Sequence, residues 1–161
     1  MKLFIKINSI ALVLACIFAS CDLLNELQSS SSKLTFRTTI HQKDTVLFTG
    51  TAIKSYNDST HEVIFVDSMT IPNVFPFHKL TCYLGTDSLF TAAMTSDVMS
   101  SIVNDLVLNH NLYNGKYYFE DGYPAWIDIL GATTLRAQNK LKRADAWAKF
   151  IAQLKLEGRY K

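Results

Sequence analysis

Along most of this chain, hydrophobic residues occur in short runs that are separated by polar turn residues. Runs of this kind, rich in β-branched and aromatic residues, are typical of strands. Asn114-Gly115 predicts a tight hairpin turn, because both residues tolerate positive φ. The predicted strands cover 34–40, 45–53, 63–66, 80–83, 87–91, 112–113, 116–119 and 126–130.

The last part of the chain has a helical pattern instead. Residues 134–157 contain no Gly or Pro, and Gly158 follows as a C-cap. A helix of this length spans about 36 Å, at a rise of about 1.5 Å per residue. A second helix is predicted from Asp97 onward, although 106–108 fits a strand equally well. The hydrophobic stripe of the long helix consists of Ala137, Leu141, Ala144, Ala148 and Ile151, widened by Trp147 and Leu154.

Two segments of the predicted sheet resemble each other. Lys33-Leu34-Thr35-Phe36 returns 46 residues later as Lys79-Leu80-Thr81-Cys82, and a similar strand follows each copy. The pattern predicts two related hairpins in one sheet, and the alternative is chance similarity between strands. Two copies are too few for a solenoid.

Together these elements predict an α+β fold. We expect an antiparallel sheet of about six or seven strands, packed against the long C-terminal helix. The alternative is a small lipocalin-like β-barrel with the same C-terminal helix, which would enclose a ligand cavity. The length of 161 residues fits one domain with a short tail.

Composition narrows the function classes. A net charge of +2 excludes a strongly basic nucleic-acid binder, and three cysteines exclude a disulfide scaffold. Phosphate-loop, His-Glu-x-x-His, Cys-x-x-Cys and Gly-x-Ser-x-Gly motifs do not occur, and the four histidines are scattered. We therefore expect a non-enzymatic protein with no cofactor, metal or catalytic residue. Cys82, in a predicted strand, is expected to be a buried, inert thiol.

The N-terminal segment has the pattern of a secretory signal. Lys2 and Lys6 precede the apolar run 7–18, and the small pair Ala19-Ser20 comes directly before Cys21. The run is shorter than the roughly 20 apolar residues that a membrane-spanning helix needs. We therefore interpret it as an export signal.

Phe18-Ala19-Ser20-Cys21 resembles the lipobox of bacterial lipoproteins. The resemblance implies that residues 1–20 are a signal peptide and that Cys21 becomes a diacylated mature N-terminus. The membrane is then a partner through this diacylglyceryl-cysteine, because two or three acyl chains anchor a protein durably. Residues 21–33, which include four consecutive serines, form a lipidated flexible tether, and 34–161 form a single globular domain.

Further resemblances concern the compartment. The mature start, 21–26, resembles that of many Bacteroidetes lipoproteins, in which acidic residues near the cysteine resemble a surface-export signal. Asp22 beside the cysteine instead resembles the inner-membrane retention signal of enteric bacteria. We expect a lipid-anchored protein of the cell envelope, at the outer membrane, with its periplasmic or surface face left open. Val13-Leu14-Ala15-Cys16 is a second lipobox candidate, in which Leu14 fits poorly.

Charge is segregated along the mature chain. Residues 21–134 contain six basic and twelve acidic residues, whereas 135–161 contain eight basic and two acidic residues. One interpretation is that the basic helix docks on an acidic body and exposes a solvated basic face. The alternative is that this face contacts anionic membrane headgroups, at about 1 kcal/mol per basic residue near the surface. A nucleic-acid partner is not expected for an exported protein.

The segment 120–126 is the most site-like part of the chain. Asp121, Tyr123 and Trp126 combine a carboxylate with two large aromatics at a turn, as sugar- and peptide-binding surfaces often do. The alternative is a structural turn with core aromatics. We expect an envelope lipoprotein that binds a protein or glycan partner. The alternative function is a carrier of a small apolar ligand, held in a cavity between sheet and helix.

Asp followed by Ser or Thr, and then by an apolar residue or Thr, occurs four times. Composition alone predicts about one such match. The pattern is similar to the O-glycosylation motif of Bacteroidetes extracytoplasmic proteins. This resemblance implies acceptor hydroxyls at Thr45, Ser59, Ser68 and Ser88. The alternative is turn chemistry, because Asp-Ser and Asp-Thr bond their own backbone at strand ends.

Overall fold

In the part of the chain that the structure describes, eight strands form one curled sheet and two helices follow it. The computed structural model describes residues 33–66, 79–126 and 131–161. The described strands and helices all lie within the compact unit Leu34–Lys161. Several predicted features lie outside the described residues. They are the signal peptide, the lipidation site Cys21, the tether up to residue 32, Ser68, and 127–130 of the last predicted strand.

The sheet is mixed and has one more strand than the upper expectation. Its order is β2-β1-β5-β6-β7-β8-β4-β3, and every neighbouring pair is antiparallel except β6 and β7. The α+β expectation is confirmed, whereas the purely antiparallel sheet of six or seven strands is corrected. The strands are β1 (Leu34–Ile40), β2 (Lys43–Thr49), β3 (Ile53–Asn57), β4 (Glu62–Phe65), β5 (Lys79–Leu84), β6 (Asp87–Ser96), β7 (Val107–Asn111) and β8 (Lys116–Glu120).

The parallel pair arises from the connection between β6 and β7. Parallel neighbours need a crossover, and residues 97–106 provide it without forming a helix. The predicted helix is therefore wrong here. Val98 and Ile102 are exposed, so a helix with this spacing would have no core to pack against. Val103 instead forms an isolated bridge with Tyr123.

The sheet curls into a half-barrel. Phe48 on the edge strand β2 and Phe65 on β4, which is next to the opposite edge, have ring centroids only 5.3 Å apart. A short 3-10 turn, Gly50–Ala52, carries the chain from β2 to β3, the two edges of the sheet. Because β2 and β3 are both end strands of this order, the described strands form an open sheet and not the closed lipocalin-like barrel.

The two similar sequence segments form two hairpins related by an approximate two-fold axis. Both hairpins, β1–β2 and β5–β6, are antiparallel, and they lie side by side because β1 pairs with β5. Phe36 pairs directly with Cys82, its equivalent in the other copy, and each hairpin shifts register just after that residue. Both segments thus form hairpins of one sheet, as the repeat predicted. Cys82 is buried, and this burial raises the pKa of its thiol.

The C-terminal helical region consists of two helices, α1 (Ala132–Lys142) and α2 (Ala144–Leu156), and not of one helix over 134–157. The backbone leaves helical geometry at Arg143, with φ −98° and ψ 4°. No Gly or Pro marks this break. The Arg143 guanidinium binds the carboxylates of Asp105 and Asp121, so tertiary contacts occur at the residue where the helix is interrupted.

The predicted hydrophobic stripe is partly correct. Trp147, Ile151 and Leu154 pack in or against the core, as predicted. Phe150, which the predicted stripe did not include, is fully buried beside them, and burying an aromatic ring removes far more apolar area from water than burying an alanine. The exposed residues of the predicted stripe are Ala137, Leu141, Ala144 and Ala148.

Phe150 contacts rings from across the curled sheet. Its centroid lies 5.4 Å from Phe90, 6.0 Å from Phe119 and 6.3 Å from Phe36. Phe36 also stacks on Phe48 at 4.4 Å. The core is thus an aromatic layer between the concave side of the sheet and α2.

The chain after α2 returns to the sheet and covers the edge of β3. Gly158 adopts a positive φ of 68°, which turns the backbone after the helix. Tyr56 N–H then donates to Arg159 O at 2.8 Å, and Lys161 N–H donates to Tyr56 O at 2.9 Å. An edge strand with bonded backbone groups is protected from pairing with another chain.

Candidate functional site

A pocket of about 200 Å³ lies between the sheet and the two helices. We call it the helix–sheet pocket. One wall comes from the sheet side of the chain and the other from α1 and α2. Its lining residues are His61, Leu106, Phe119, Asp121, Lys140, Arg143, Ala144, Trp147 and Ala148.

The sheet side of the pocket is mainly apolar. Leu106, just before β7, and Phe119 of β8 are both buried. His61 lies in the turn before β4 with a positive φ of 58°, a conformation that non-glycine residues rarely adopt. Its carbonyl accepts a hydrogen bond from Phe119 N–H at 3.0 Å, which fixes the turn against β8.

The helix side is formed by one fixed ring and two small residues. The Trp147 ring lies 5.4 Å from Phe119 and 5.2 Å from Phe90, so aromatic neighbours hold its orientation. Ala144 and Ala148 lie three residues before and one residue after Trp147 on α2. Their methyl groups leave the space that a larger side chain would fill.

The mouth of the pocket is charged. Lys140 Nζ binds Asp121 Oδ2 at 2.8 Å, and Arg143 binds both Asp121 Oδ1 and, at 2.8 Å, Asp105 Oδ1. The Arg143 side chain is only 11% exposed, so its two ion pairs are partly shielded from water. Arg143 therefore joins the break between the helices to the crossover before β7 and to the end of β8.

Tyr56 supports His61 from inside the core. The Tyr56 hydroxyl and His61 Nδ1 share a hydrogen bond of 3.0 Å. Burial, reinforced by the nearby Asp58 carboxylate, raises the pKa of Tyr56 well above its usual range. The hydroxyl therefore stays protonated and can hold the imidazole in place.

The structure separates the three residues of the predicted binding surface. Asp121 lies in the helix–sheet pocket. Tyr123 is buried, and its hydroxyl donates to Met99 O at 3.1 Å. Trp126 is 81% exposed. Only Asp121 therefore belongs to the pocket, and Tyr123 has the structural role of the alternative interpretation.

Sequence reasoning missed Lys140, Arg143 and Trp147 as site residues. Their spacing of three and then four residues places them on one helical face, which is a signal that the sequence carries. The neighbouring alanines and Leu141 instead predicted a different helical face as the one that packs on the sheet. The spacing does not indicate that Asp121, which directly follows β8, lies in the same pocket as these three residues.

The glycosylation candidates lie at strand edges and turns. Thr45 is half-buried on the edge strand β2, and its hydroxyl donates to Lys43 O at 3.2 Å. Ser59 and Ser88 are exposed. The turn around Ser59 is organised by Asn57, whose side-chain oxygen accepts from Ser59 N–H at 2.9 Å, and not by Asp58.

Within the described residues, no group of three or more His, Cys, Asp or Glu side chains is arranged to hold a metal ion. Of the described histidines, His61 lines the pocket together with Asp121. His110 instead stacks on Tyr117, with ring centroids 4.3 Å apart. The pocket thus contains one imidazole and one carboxylate that has two cationic partners.

Six of the eight basic residues of the C-terminal region fall into two groups. Arg136, Lys140, Arg143 and Arg159 bind carbonyls or carboxylates of the same domain. Lys142 and Lys149 are exposed and form no ion pair within the described ranges. None of the helices in those ranges is both long enough and apolar enough to span a membrane.

In comparisons with known proteins, the chain matches no protein family, no curated protein and no solved structure.

Proposed function

We propose that this chain is a lipid-anchored protein of the cell envelope that binds a small, largely apolar ligand in the helix–sheet pocket. The pocket itself is the observation that supports this function. It lies between sheet and helix, where the ligand-carrier interpretation of the sequence requires a cavity. No catalytic step is part of the proposal.

The size and lining of the pocket limit the ligand. Pockets for drug-sized molecules measure roughly 300–1,000 Å³, and the helix–sheet pocket measures about 200 Å³. Trp147, Phe119 and Leu106 provide apolar contact area. These features favour a ligand with one aromatic ring or one short chain.

Phenylacetamide, a neutral molecule with one ring, is a suitable probe for this function. We expect isothermal titration calorimetry to detect its binding to the wild-type domain. Ala148→Phe should abolish that binding, because the new ring occupies the pocket. Ala152→Phe is the matched control, since Ala152 is exposed on the same helix and does not line the pocket.

Two outcomes would overturn the proposed function. One is the absence of detectable binding by the wild-type domain. The other is equal binding by the wild type and Ala148→Phe, which would place the probe elsewhere on the molecule. If both variants fold and both lose binding, the probe cannot be assigned to the helix–sheet pocket.

The envelope anchor is proposed on residues 18–21 and their resemblance to a lipobox. We expect Cys21→Ser to move the protein from the membrane fraction to the soluble fraction and to abolish acyl labelling. Cys16→Ser is the matched control and should change neither property. Unchanged fractionation and labelling of Cys21→Ser would contradict the anchor.

A protein or glycan partner remains a second candidate because of Trp126. An indole ring that is 81% exposed is suited to stacking on a sugar or a peptide. Trp126→Ala should weaken sedimentation with purified peptidoglycan, whereas Tyr113→Ala, at an equally exposed hairpin tip, should not. Equal behaviour of the two variants would remove this candidate.

A further inference from the structure

We infer that the helix–sheet pocket selects a neutral ligand that carries a hydrogen-bond acceptor, such as the carbonyl group of an aryl ketone, and that His61 donates to this acceptor from Nε2. This inference rests on the proposed ligand-binding function and specifies the polar group of the ligand. It follows from the pairing of the charges around the pocket and from the tautomer that Tyr56 imposes on His61.

The charged groups at the mouth of the pocket compensate one another. Lys140 binds Asp121, and Arg143 binds both Asp121 and Asp105. Two cations thus contact two carboxylates, and a charged ligand would meet no unpaired charge of opposite sign among them. The mouth therefore favours a neutral ligand, because such a ligand leaves these ion pairs intact.

Tyr56 determines which nitrogen of His61 carries the proton. Tyr56 is completely buried, and in the described part of the chain its hydroxyl has one hydrogen-bond partner, His61 Nδ1 at 3.0 Å. Because a buried O–H group needs an acceptor, the hydroxyl donates and Nδ1 accepts. The raised pKa of Tyr56 keeps this proton on the hydroxyl. The neutral imidazole then carries its own proton on Nε2.

The uncharged polar side chains of the lining, His61 and Trp147, are N–H donors. Neither Nε2 of His61 nor the indole N–H of Trp147 forms a hydrogen bond with the described residues. The acceptor of the lining, the Asp121 carboxylate, already has two cationic partners. A ligand that complements this pocket thus supplies an acceptor.

The pocket can contact a ring and a carbonyl group of the same ligand. Trp147 and Phe119 meet edge to face, with an interplanar angle of 84°, and provide apolar contact area for a ring. His61 lines the same pocket and is exposed, so the carbonyl oxygen can reach Nε2. A volume of about 200 Å³ limits the apolar part to one ring or a short chain.

The test compares acetophenone with isopropenylbenzene, in which a methylene group replaces the carbonyl oxygen and the shape is nearly the same. In NMR titrations, His61→Asn should weaken acetophenone binding about three- to tenfold, because the ketone loses a hydrogen bond. Binding of isopropenylbenzene should change less than about twofold. Asparagine tolerates the positive φ of 58° at this position, and its side chain is too short to replace Nε2.

His41→Asn is the matched control for this substitution. His41 also has a positive φ, of 49°, and it does not line the pocket. The variant should bind both probes as the wild type does.

A second measurement needs no variant. In mildly alkaline buffer, in which histidine side chains are neutral, proton–nitrogen correlation spectra of the wild type should show His61 protonated at Nε2 and unprotonated at Nδ1. The opposite tautomer would overturn the inference.

The outcomes distinguish the two levels of the proposal. Equal weakening of both probes by His61→Asn, or unchanged acetophenone binding, would overturn the role of His61 and leave the pocket function intact. Weaker acetophenone binding by His41→Asn would contradict the assignment to His61. Binding of neither probe to the wild type would overturn the pocket function itself.

Discussion

The two C-terminal helices are attached to the sheet by different kinds of contact. Helix α2 buries Phe150 and Leu154 completely in the aromatic core. Helix α1 buries only Ala132. It is held by polar contacts instead, among them Arg136 to Pro124 O at 3.1 Å and Asn139 to Asn104 O at 2.8 Å. The helix–sheet pocket lies where these two modes of attachment meet.

The two helices therefore have different roles. Apolar packing in α2 is insensitive to ions and fixes Trp147 as a rigid wall. Polar attachment in α1 can be exchanged for contacts with a ligand at little cost, because the partners stay solvated or paired. The same segment of the chain thus provides a structural helix and an adaptable one.

The strongest test of this comparison is the removal of one large side chain from each helix. Phe150→Ala should lower the free energy of unfolding by about 3–5 kcal/mol, because it leaves a cavity in the aromatic core. Leu141→Ala should change it by less than about 0.5 kcal/mol, since Leu141 is 76% exposed on α1. Urea denaturation measures both. Comparable losses in the two variants would show that α1 is also packed on the core.

A smaller effect is expected from breaking the ion pairs at the junction. Arg143→Gln should cost about 1–2 kcal/mol, because it leaves Asp121 and Asp105 with fewer partners in a partly shielded position. Relative to the wild type, amide hydrogen exchange in this variant should accelerate more in α1 than in α2. Lys149→Gln, at an exposed position of α2, is the control and should alter neither quantity. Uniform acceleration of both helices would contradict separate modes of attachment.

The smallest effect on folding is expected on the exposed basic face. Replacing Lys142 and Lys149 together by Glu should leave the urea midpoint nearly unchanged, because both side chains are exposed. If this face contacts anionic headgroups, the alternative interpretation of the charge pattern, sedimentation with phosphatidylglycerol vesicles should fall by about tenfold or more for four units of charge. Undiminished vesicle binding would favour a basic face that is only solvated.

Local pattern was sufficient for much of the sheet. The bounds of β1 match its run of β-branched and aromatic residues. Asn114-Gly115 lies in the turn between β7 and β8, but this turn spans 112–115 and so includes two residues that were predicted as strand. The repeat of 46 residues predicted two hairpins in one sheet, and the structure adds that they are neighbours through β1 and β5. These features depend on short-range geometry, which neighbouring residues determine.

The helical region and the site depended on contacts between distant residues. Spacing alone fits several helical faces between 132 and 156, and the choice among them was made by the rings that meet Phe150. Likewise, Asp121 stood out as a carboxylate at a turn, but its role follows from Lys140 and Arg143, about twenty residues later in the chain. A single sequence does not contain that pairing.

The most direct test of ligand binding in the helix–sheet pocket is a set of intermolecular nuclear Overhauser effects with phenylacetamide. The account predicts contacts from its ring protons to the Ala144 and Ala148 methyl groups and to the Trp147 indole. It predicts none to the Ala137 or Ala152 methyl groups, which are exposed on the same two helices but lie outside the lining. Contacts to Ala137 or Ala152 without any to Ala144 and Ala148 would contradict it.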